Sequence, residues 1–252
     1  MRVDDEVLRV LSNAKTDGAA LTLVGTLDRK LYERTNKVLE AGGGKWNKKA
    51  KAHLFDGGAA EAMEQIIQTG EVTLIRTIQQ DFGYFPTPPA VVARLIALAQ
   101  IRPGVDRWVL EPSAGTGAIA SELLKFKHNV DCVELLPQNV AVLRKLPHVN
   151  AVQEADFLSI APDVRYDRVV MNPPFAKQAD IHHVSHALKF LKPDGLLVSV
   201  MSASVTFRDN KLTQDFRNLV RERGGEIEAL PDAAFKESGT LVRTVVVTIP
   251  AA

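Results

Sequence analysis

The chain holds 252 residues, of which 46% are hydrophobic and 24% charged, with 31 Lys and Arg nearly balancing 30 Asp and Glu. That composition excludes a largely disordered chain and gives length for one core plus a small appendage. A single cysteine, Cys132, excludes an internal disulfide. No apolar run reaches the roughly 18 residues of a membrane span, and the opening MRVDDEVLRV lacks the apolar stretch of a secretory signal, so the expected setting is the cytoplasm.

Two parts of different character follow, 1–80 and 81–252. In the first, LDRKLYERTNKVLEAGG sets Leu31, Thr35, Val38 and Leu39 at helical spacing, and Gly42 to Gly44 ends the helix. KWNKKAKAHLFDGG then alternates Trp46, His53 and Phe55 with lysines and closes on Asp56-Gly57-Gly58, which predicts a basic strand or hairpin. AAEAMEQIIQTG predicts a second amphipathic helix. Such a unit of roughly 50 residues buries little by itself and is expected to dock on the larger part. Between Asp28 and His53 stand eight Lys and Arg against three acids, an excess larger than the net charge of +1 on the whole chain.

From 81 onward, strand and helix patterns alternate. WVLE (108–111), VDCVEL (130–135), AVQEADFL (151–158), DRVVMN (167–172), GLLVSVM (195–201), EIEAL (226–230) and RTVVVTI (243–249) read as strands. TPPAVVARLIALAQ, GAIASELLKF, QNVAVLRKL, HHVSHALKFL and LTQDFRNLVRERGG read as the helices between them. Strands separated by helices imply right-handed crossovers and an α/β fold: a Rossmann-like seven-stranded sheet with helices on both faces, its last hairpin adding an antiparallel strand. In such sheets ligands sit outside the carboxyl ends of the strands.

The first strand ends in Glu111-Pro112-Ser113-Ala114-Gly115-Thr116-Gly117. Gly115 and Gly117 allow a tight turn and close approach to a ligand, and the following helix N-terminus offers amides; a plain strand-to-helix turn is the alternative. An acid ahead of this turn suits a cationic amine better than a pyrophosphate. The second strand ends at Glu134-Leu135, where a carboxylate is either a solvated cap or an acceptor for two ribose hydroxyls. The third ends in Asp156-Phe157, readable as an acceptor and ring for an adenine or as a helix cap beside a core Phe. The fourth delivers Asn172-Pro173-Pro174-Phe175. Two prolines fix φ there, aiming the Asn oxygen and one peptide carbonyl at a common point with a ring behind them, which suits a planar amine.

In these motifs the chain resembles the class I S-adenosylmethionine-dependent methyltransferases, and among them the N6-adenine DNA methyltransferases. Their Asn-Pro-Pro-Phe signature corresponds to Asn172 to Phe175, and their cofactor turn to Glu111 to Gly117. Phe85-Pro86-Thr87-Pro88-Pro89 resembles the family's Phe/Thr-Pro motif, which lines the methionine end of the cofactor. The resemblance spans about residues 81–250 in the motif order of the gamma group. It implies S-adenosylmethionine as cofactor, held by Phe85, Thr87, Pro88, Glu111, Pro112, Ser113, Ala114, Gly115, Gly117, Glu134, Leu135, Asp156, Phe157 and Asn172. It implies transfer to the N6 amine of a flipped adenine in DNA, with Asn172, Pro173, Pro174 and Phe175 forming the catalytic corner. No metal is implied, since the donor's positive sulfur already activates the methyl. Phe235-Lys-Glu-Ser-Gly-Thr stands where the family helps hold the target base. RNA guanine-N2 and protein glutamine N5 methylation are the alternative activities, since related enzymes present similar corners.

Gamma-group enzymes usually carry a target-recognition domain after the catalytic one, whereas here Ala252 falls just past the last strand. DNA selection is therefore expected from the N-terminal part, from loops such as Ser202 to Lys211, or from a partner. Lys45, Trp46, Lys48, Lys49 and Lys51 are the candidate nucleic-acid contacts, with a solvated lysine-rich edge strand as the alternative. His182, His183 and His186 are expected on a helix face rather than on a metal, and Cys132 in the core of the second strand.

Overall fold

The computed structural model describes residues 1–55, 58–72, 85–102, 104–126, 128–238, 240 and 242–251. The expected boundary at 80/81 and the turn residues Asp56 and Gly57 lie outside the described residues.

Residues 1–72 build helix α1 (Asp5–Ser12), strands β1 (Lys15–Asp17) and β2 (Ala20–Thr22), helix α2 (Arg29–Ala41), strands β3 (Lys45–Asn47) and β4 (Ala52–Leu54), and helix α3 (Ala59–Thr69). The strands form an antiparallel sheet in the order β1-β2-β4-β3. Asp4 and Asp28 start their helices by accepting backbone N–H groups from Val7 and from Lys30 and Leu31. Leu8, Leu11, Leu21, Leu39 and Ile66 bury one common core between helices and sheet. Neither α1 nor the β1–β2 hairpin is among the expected elements. The basic segment is a hairpin: Asn47 Oδ1 accepts from the Lys49 and Ala50 amides and turns the chain, so Lys48, Lys49 and Lys51 stand at its tip.

Helix α4 (Pro89–Ala99) leads into β5 (Trp108–Pro112), α5 (Ala118–Leu123), β6 (Asn129–Glu134), α6 (Pro137–Leu143), β7 (Ala151–Glu154) and β8 (Tyr166–Met171). Then come α7 (Ala179–Ala187), β9 (Leu191–Ser202), α8 (Lys211–Glu222), β10 (Glu226–Ala229) and β11 (Thr244–Pro250). The sheet order is β10-β11-β9-β8-β5-β6-β7, with β11 antiparallel to both neighbours and the other pairings parallel. This is the expected Rossmann-like architecture. Its central strands are apolar on both faces because helices cover both, as Val169, Val170 and Met171 or Val245 to Val247 illustrate. Strand β9 starts earlier than expected, with an irregularity opposite Tyr166 to Arg168 that accommodates Lys192 to Gly195. No helix among the described residues is long and apolar enough to cross a membrane.

The N-terminal sheet and helices rest on the segment after β9. Phe207 buries itself in their core, and Arg208, only 6% exposed, donates to Glu64 of α3 at 2.7 Å. The Arg243 amide also donates to the Gln68 carbonyl at 3.1 Å. Ser202 to Lys211, expected as a loop available for selecting DNA, is thus largely committed to packing, with Val205, Phe207 and Arg208 buried. Removing one partner of a buried ion pair strands the other charge, at about 3–5 kcal/mol. Glu64→Ala is therefore expected to lower unfolding stability by about 3 kcal/mol, and Arg208→Met in the same chain to recover part of it, as read by urea denaturation.

Candidate active site

A cavity of about 280 Å³ opens at the carboxyl ends of β5 to β8, lined by residues from each strand end. The turn after β5 makes its floor. Ser113, Gly115 and Gly117 all have positive φ, at 62°, 57° and 86°. A side chain at Gly117 would meet Leu146 and Leu143 within 2.9 Å, so glycine is required there by both backbone and packing. The amides of the turn itself are largely engaged within the protein. Ala114 N donates to the Val133 carbonyl, Gly115 N to Glu134 Oε2 and Gly117 N to the Ala114 carbonyl. These bonds fix the turn against the end of β6.

Glu134 is consequently a structural acceptor as well as a cavity wall. Its carboxylate takes N–H groups from Gly115 at 2.7 Å, Leu136 at 2.8 Å and Asn139 at 3.3 Å. Oε1 takes two of these bonds and Oε2 one, so Oε2 keeps an acceptor site at which a hydroxyl can still be received. Glu111 differs. It is 2% exposed, lines the cavity, takes a backbone bond from Ala120, and its Oε2 lies buried with no partner among the described residues. Burial, and secondarily the nearby Glu134 charge, push its carboxyl well above the ordinary carboxylate range.

The corner after β8 is held from behind. Asn172 Nδ2 donates to the Phe85 carbonyl at 3.2 Å and to Thr87 Oγ1 at 3.0 Å, leaving Asn172 Oδ1 buried without a partner among the described residues. Pro173, Pro174 and Phe175 continue the cavity wall, and Phe175 is 4% exposed, an aromatic surface backed by the core. Ser238 Oγ donates to the Pro86 carbonyl at 2.6 Å, tying the segment after β10 to the rim. Phe235, the first residue of the stretch that resembles the family's target-base loop, is fully buried, in the same core cluster as Phe85 and Phe175.

Strand β7 stops at Glu154, four residues short of the expected end. Asp156 caps a short turn by accepting from Leu158 N, and Phe157 packs edge-on against His186 and beside His183 and Phe190. Both still line the cavity. Of the expected cofactor residues, Pro88, Pro112 and Gly117 do not line it, while Pro86, Thr116, Ala118, Val133, Leu136, Ala155, Leu158 and His183 are added. His183 faces inward and approaches Ser113 Oγ through Nδ1 at 3.2 Å, and burial lowers its pKa to about 4, so its imidazole is neutral. His186 Nε2 meets the Ile160 carbonyl at 3.0 Å. Lys45, Trp46, Lys48, Lys49 and Lys51 stand apart from the cavity lining, with Trp46 47% exposed and its ring 5.1 Å from that of His53.

A mainly parallel sheet whose strand ends gather an acid-and-glycine turn, a second acid and an Asn-Pro-Pro-Phe corner has the methyltransferase fold. Residues 93–224, just over half of the chain, match the methyltransferase small domain, and the chain belongs to that family. Among solved structures, a candidate class I S-adenosylmethionine-dependent methyltransferase from Listeria monocytogenes aligns with a TM-score of 0.54 at 14% identity, over 76% of this chain and 67% of its own. A candidate RNA methyltransferase from Pyrococcus horikoshii aligns with a TM-score of 0.52 at 21% identity, over 70% of this chain and 89% of its own. Likeness at these identities establishes the shared fold. No curated protein matches the chain.

The methyl donor for this site is S-adenosylmethionine, and the residues present fit it. Its cationic amino-acid end calls for buried acceptors, and Glu111 is a lining residue whose Oε2 is buried with no partner among the described residues. Its ribose hydroxyls call for a carboxylate at a strand end, which Glu134 supplies.

Proposed function

We propose that this chain methylates the N6 amine of adenine in DNA. The observation that carries the reading is the fixed amide of Asn172: both its N–H groups are engaged by Phe85 and Thr87, and only its oxygen is left for a ligand. An acceptor oxygen, a neighbouring peptide carbonyl at Pro173 and the Phe175 ring suit a planar base bearing an exocyclic amine. The motif order, Phe-Pro-Thr-Pro before the glycine turn and Asn-Pro-Pro-Phe after it, favours adenine in DNA over guanine in RNA or a protein glutamine.

When bound, S-adenosylmethionine supplies an electrophilic methyl on a positive sulfur. The chain's own contribution is placement. Asn172 Oδ1 and the Pro173 carbonyl accept the two amine hydrogens, which turns the nitrogen lone pair out of the ring system. Phe175 provides a surface for the base, a contact of the kind that contributes about 1–3 kcal/mol. Positioning of this sort accounts for most of the acceleration such a site requires. The target base must leave the helical stack, or already be unpaired, to reach the strand ends.

Incubation with DNA, RNA and protein, followed by mass spectrometry of nucleosides and amino acids, tests the assignment. N6-methyldeoxyadenosine is expected; N2-methylguanosine or methylglutamine in its place overturns the adenine reading. The lysine hairpin is the proposed phosphate contact. Replacing Lys48, Lys49 and Lys51 with Gln is expected to weaken DNA binding and to reduce the slope of log affinity against log salt by about 3. An unchanged slope puts the duplex elsewhere.

A further inference from the structure

An asparagine side chain has two nearly identical faces, one accepting and one donating, and which of them meets a ligand is decided by what holds the other. At Asn172 the holding groups come from a single short segment, Phe85 to Pro88, brought alongside the corner from the far end of the catalytic fold. The Phe85 carbonyl has no hydrogen to give, so it admits only the amide nitrogen. Thr87 Oγ1, on a side chain 9% exposed, takes the second N–H at 3.0 Å. The segment is stiff for a covalent reason. Pro86 and Pro88 have fixed φ, and each restricts the residue before it, Phe85 or Thr87, to extended backbone. Ser238 adds a tether at the Pro86 carbonyl, between the two holding groups.

We infer that Thr87 is a positioning residue: together with the Phe85 carbonyl it locks Asn172 with its oxygen toward the acceptor amine, and so sets the site's preference for an amine over a carbonyl on the target. The inference rests on the proposed amine methylation, but assigns Thr87 a task distinct from lining the cofactor. Without the hydroxyl, one amide hydrogen is left without a partner in a buried setting, and the amide is free to tilt or reverse. Reversed, it would present N–H groups to an amine, and transfer would fail although the donor binds. The Phe85 carbonyl opposes full reversal, so the loss is partial rather than complete.

The test uses the full chain with Thr87→Val, which preserves shape, and Thr87→Ser, which preserves the hydroxyl. Thr87→Val is expected to lower kcat about 5- to 20-fold, on the scale of one lost hydrogen bond, and by a clearly larger factor than any rise in the S-adenosylmethionine Kd. Thr87→Ser is expected to recover most of kcat. In the protein without donor or substrate, the Asn172 side-chain amide resonances, assigned by their loss in Asn172→Ala, are expected to shift in Thr87→Val and return in Thr87→Ser. Equal kcat in the Val and Ser variants, or a donor Kd that rises in parallel with the loss of rate, overturns the positioning role. Should the wild-type chain methylate no amine, the proposed function fails on its own assay. Unshifted amide resonances in Thr87→Val would then separately sink the tie between Thr87 and Asn172.

Discussion

Asn172→Ala is expected to lower methyl transfer by about a hundred- to a thousand-fold, the range seen when one preorganised polar group is removed from a reacting centre. The donor's affinity should stay within a few-fold of wild type. The asymmetry follows from where Asn172 makes its bonds. Its nitrogen is engaged by Phe85 and Thr87, and its oxygen, without a partner among the described residues, is the atom the proposed function assigns to the substrate amine. The substitution therefore deletes an acceptor that works on the amine and leaves the Glu111 turn and Glu134 untouched. Stability should fall as well, because the Phe85 carbonyl loses its partner, and a thermal melt separates that loss from the kinetic one. Asn172→Asp adds a sign to the test. Its second oxygen would face the Phe85 carbonyl, acceptor against acceptor, unless protonated, so its residual activity is expected to rise as pH falls. Retention of near wild-type transfer in Asn172→Ala would remove the residue from the centre of the reaction.

Much of this site is legible in the sequence because α/β folds place chemistry at predictable points. Apolar runs such as RVVM and TVVVTI mark buried strands, and in the parallel strands the polar residue that ends the run falls at the sheet's carboxyl edge, as Glu111, Glu134 and Asn172 do. What escapes is set by tertiary contact rather than by pattern. The β1–β2 hairpin has three residues per strand, too few for alternation to register. Asp156 reads either as a ligand acceptor at a strand end or as a cap, and only the structure shows its side chain accepting from the Leu158 amide. His183 is one of three histidines on α7, and only the packing of that helix under the cavity distinguishes it from exposed His182. Ser113 takes a left-handed conformation with no glycine to announce it. Nothing local in Phe207 or Arg208 signals that they dock the N-terminal helices; the partner, Glu64, lies 144 residues away.

Glu111→Gln is expected to weaken S-adenosylmethionine binding by about 10- to 100-fold, the scale of a hydrogen bond to a charged group, and to change its dependence on pH. In the free protein, burial first and the Glu134 charge second hold the Glu111 carboxyl above its ordinary range. A cation arriving at Oε2 favours the ionised form and draws that value down, so binding releases a proton in the window between the ordinary and the raised pKa. Affinity should thus climb as pH rises through that window and level off above it, and the climb should vanish in Glu111→Gln. Stability moves the other way. A group whose folded pKa lies above its unfolded one makes the protein lose stability as pH rises from the ordinary carboxylate range to the raised value. The glutamine variant, which keeps an oxygen for the Ala120 amide and carries no charge, should then melt higher than wild type at neutral pH. A carboxyl kept for structural reasons would behave oppositely, its loss lowering the melting temperature and leaving the donor's affinity alone. Titration calorimetry in two buffers of different ionisation enthalpy reads the proton release, and melts of both proteins across pH read the stability. Wild-type affinity with an unaltered pH slope in Glu111→Gln would mean that the donor's positive end is held by some other group.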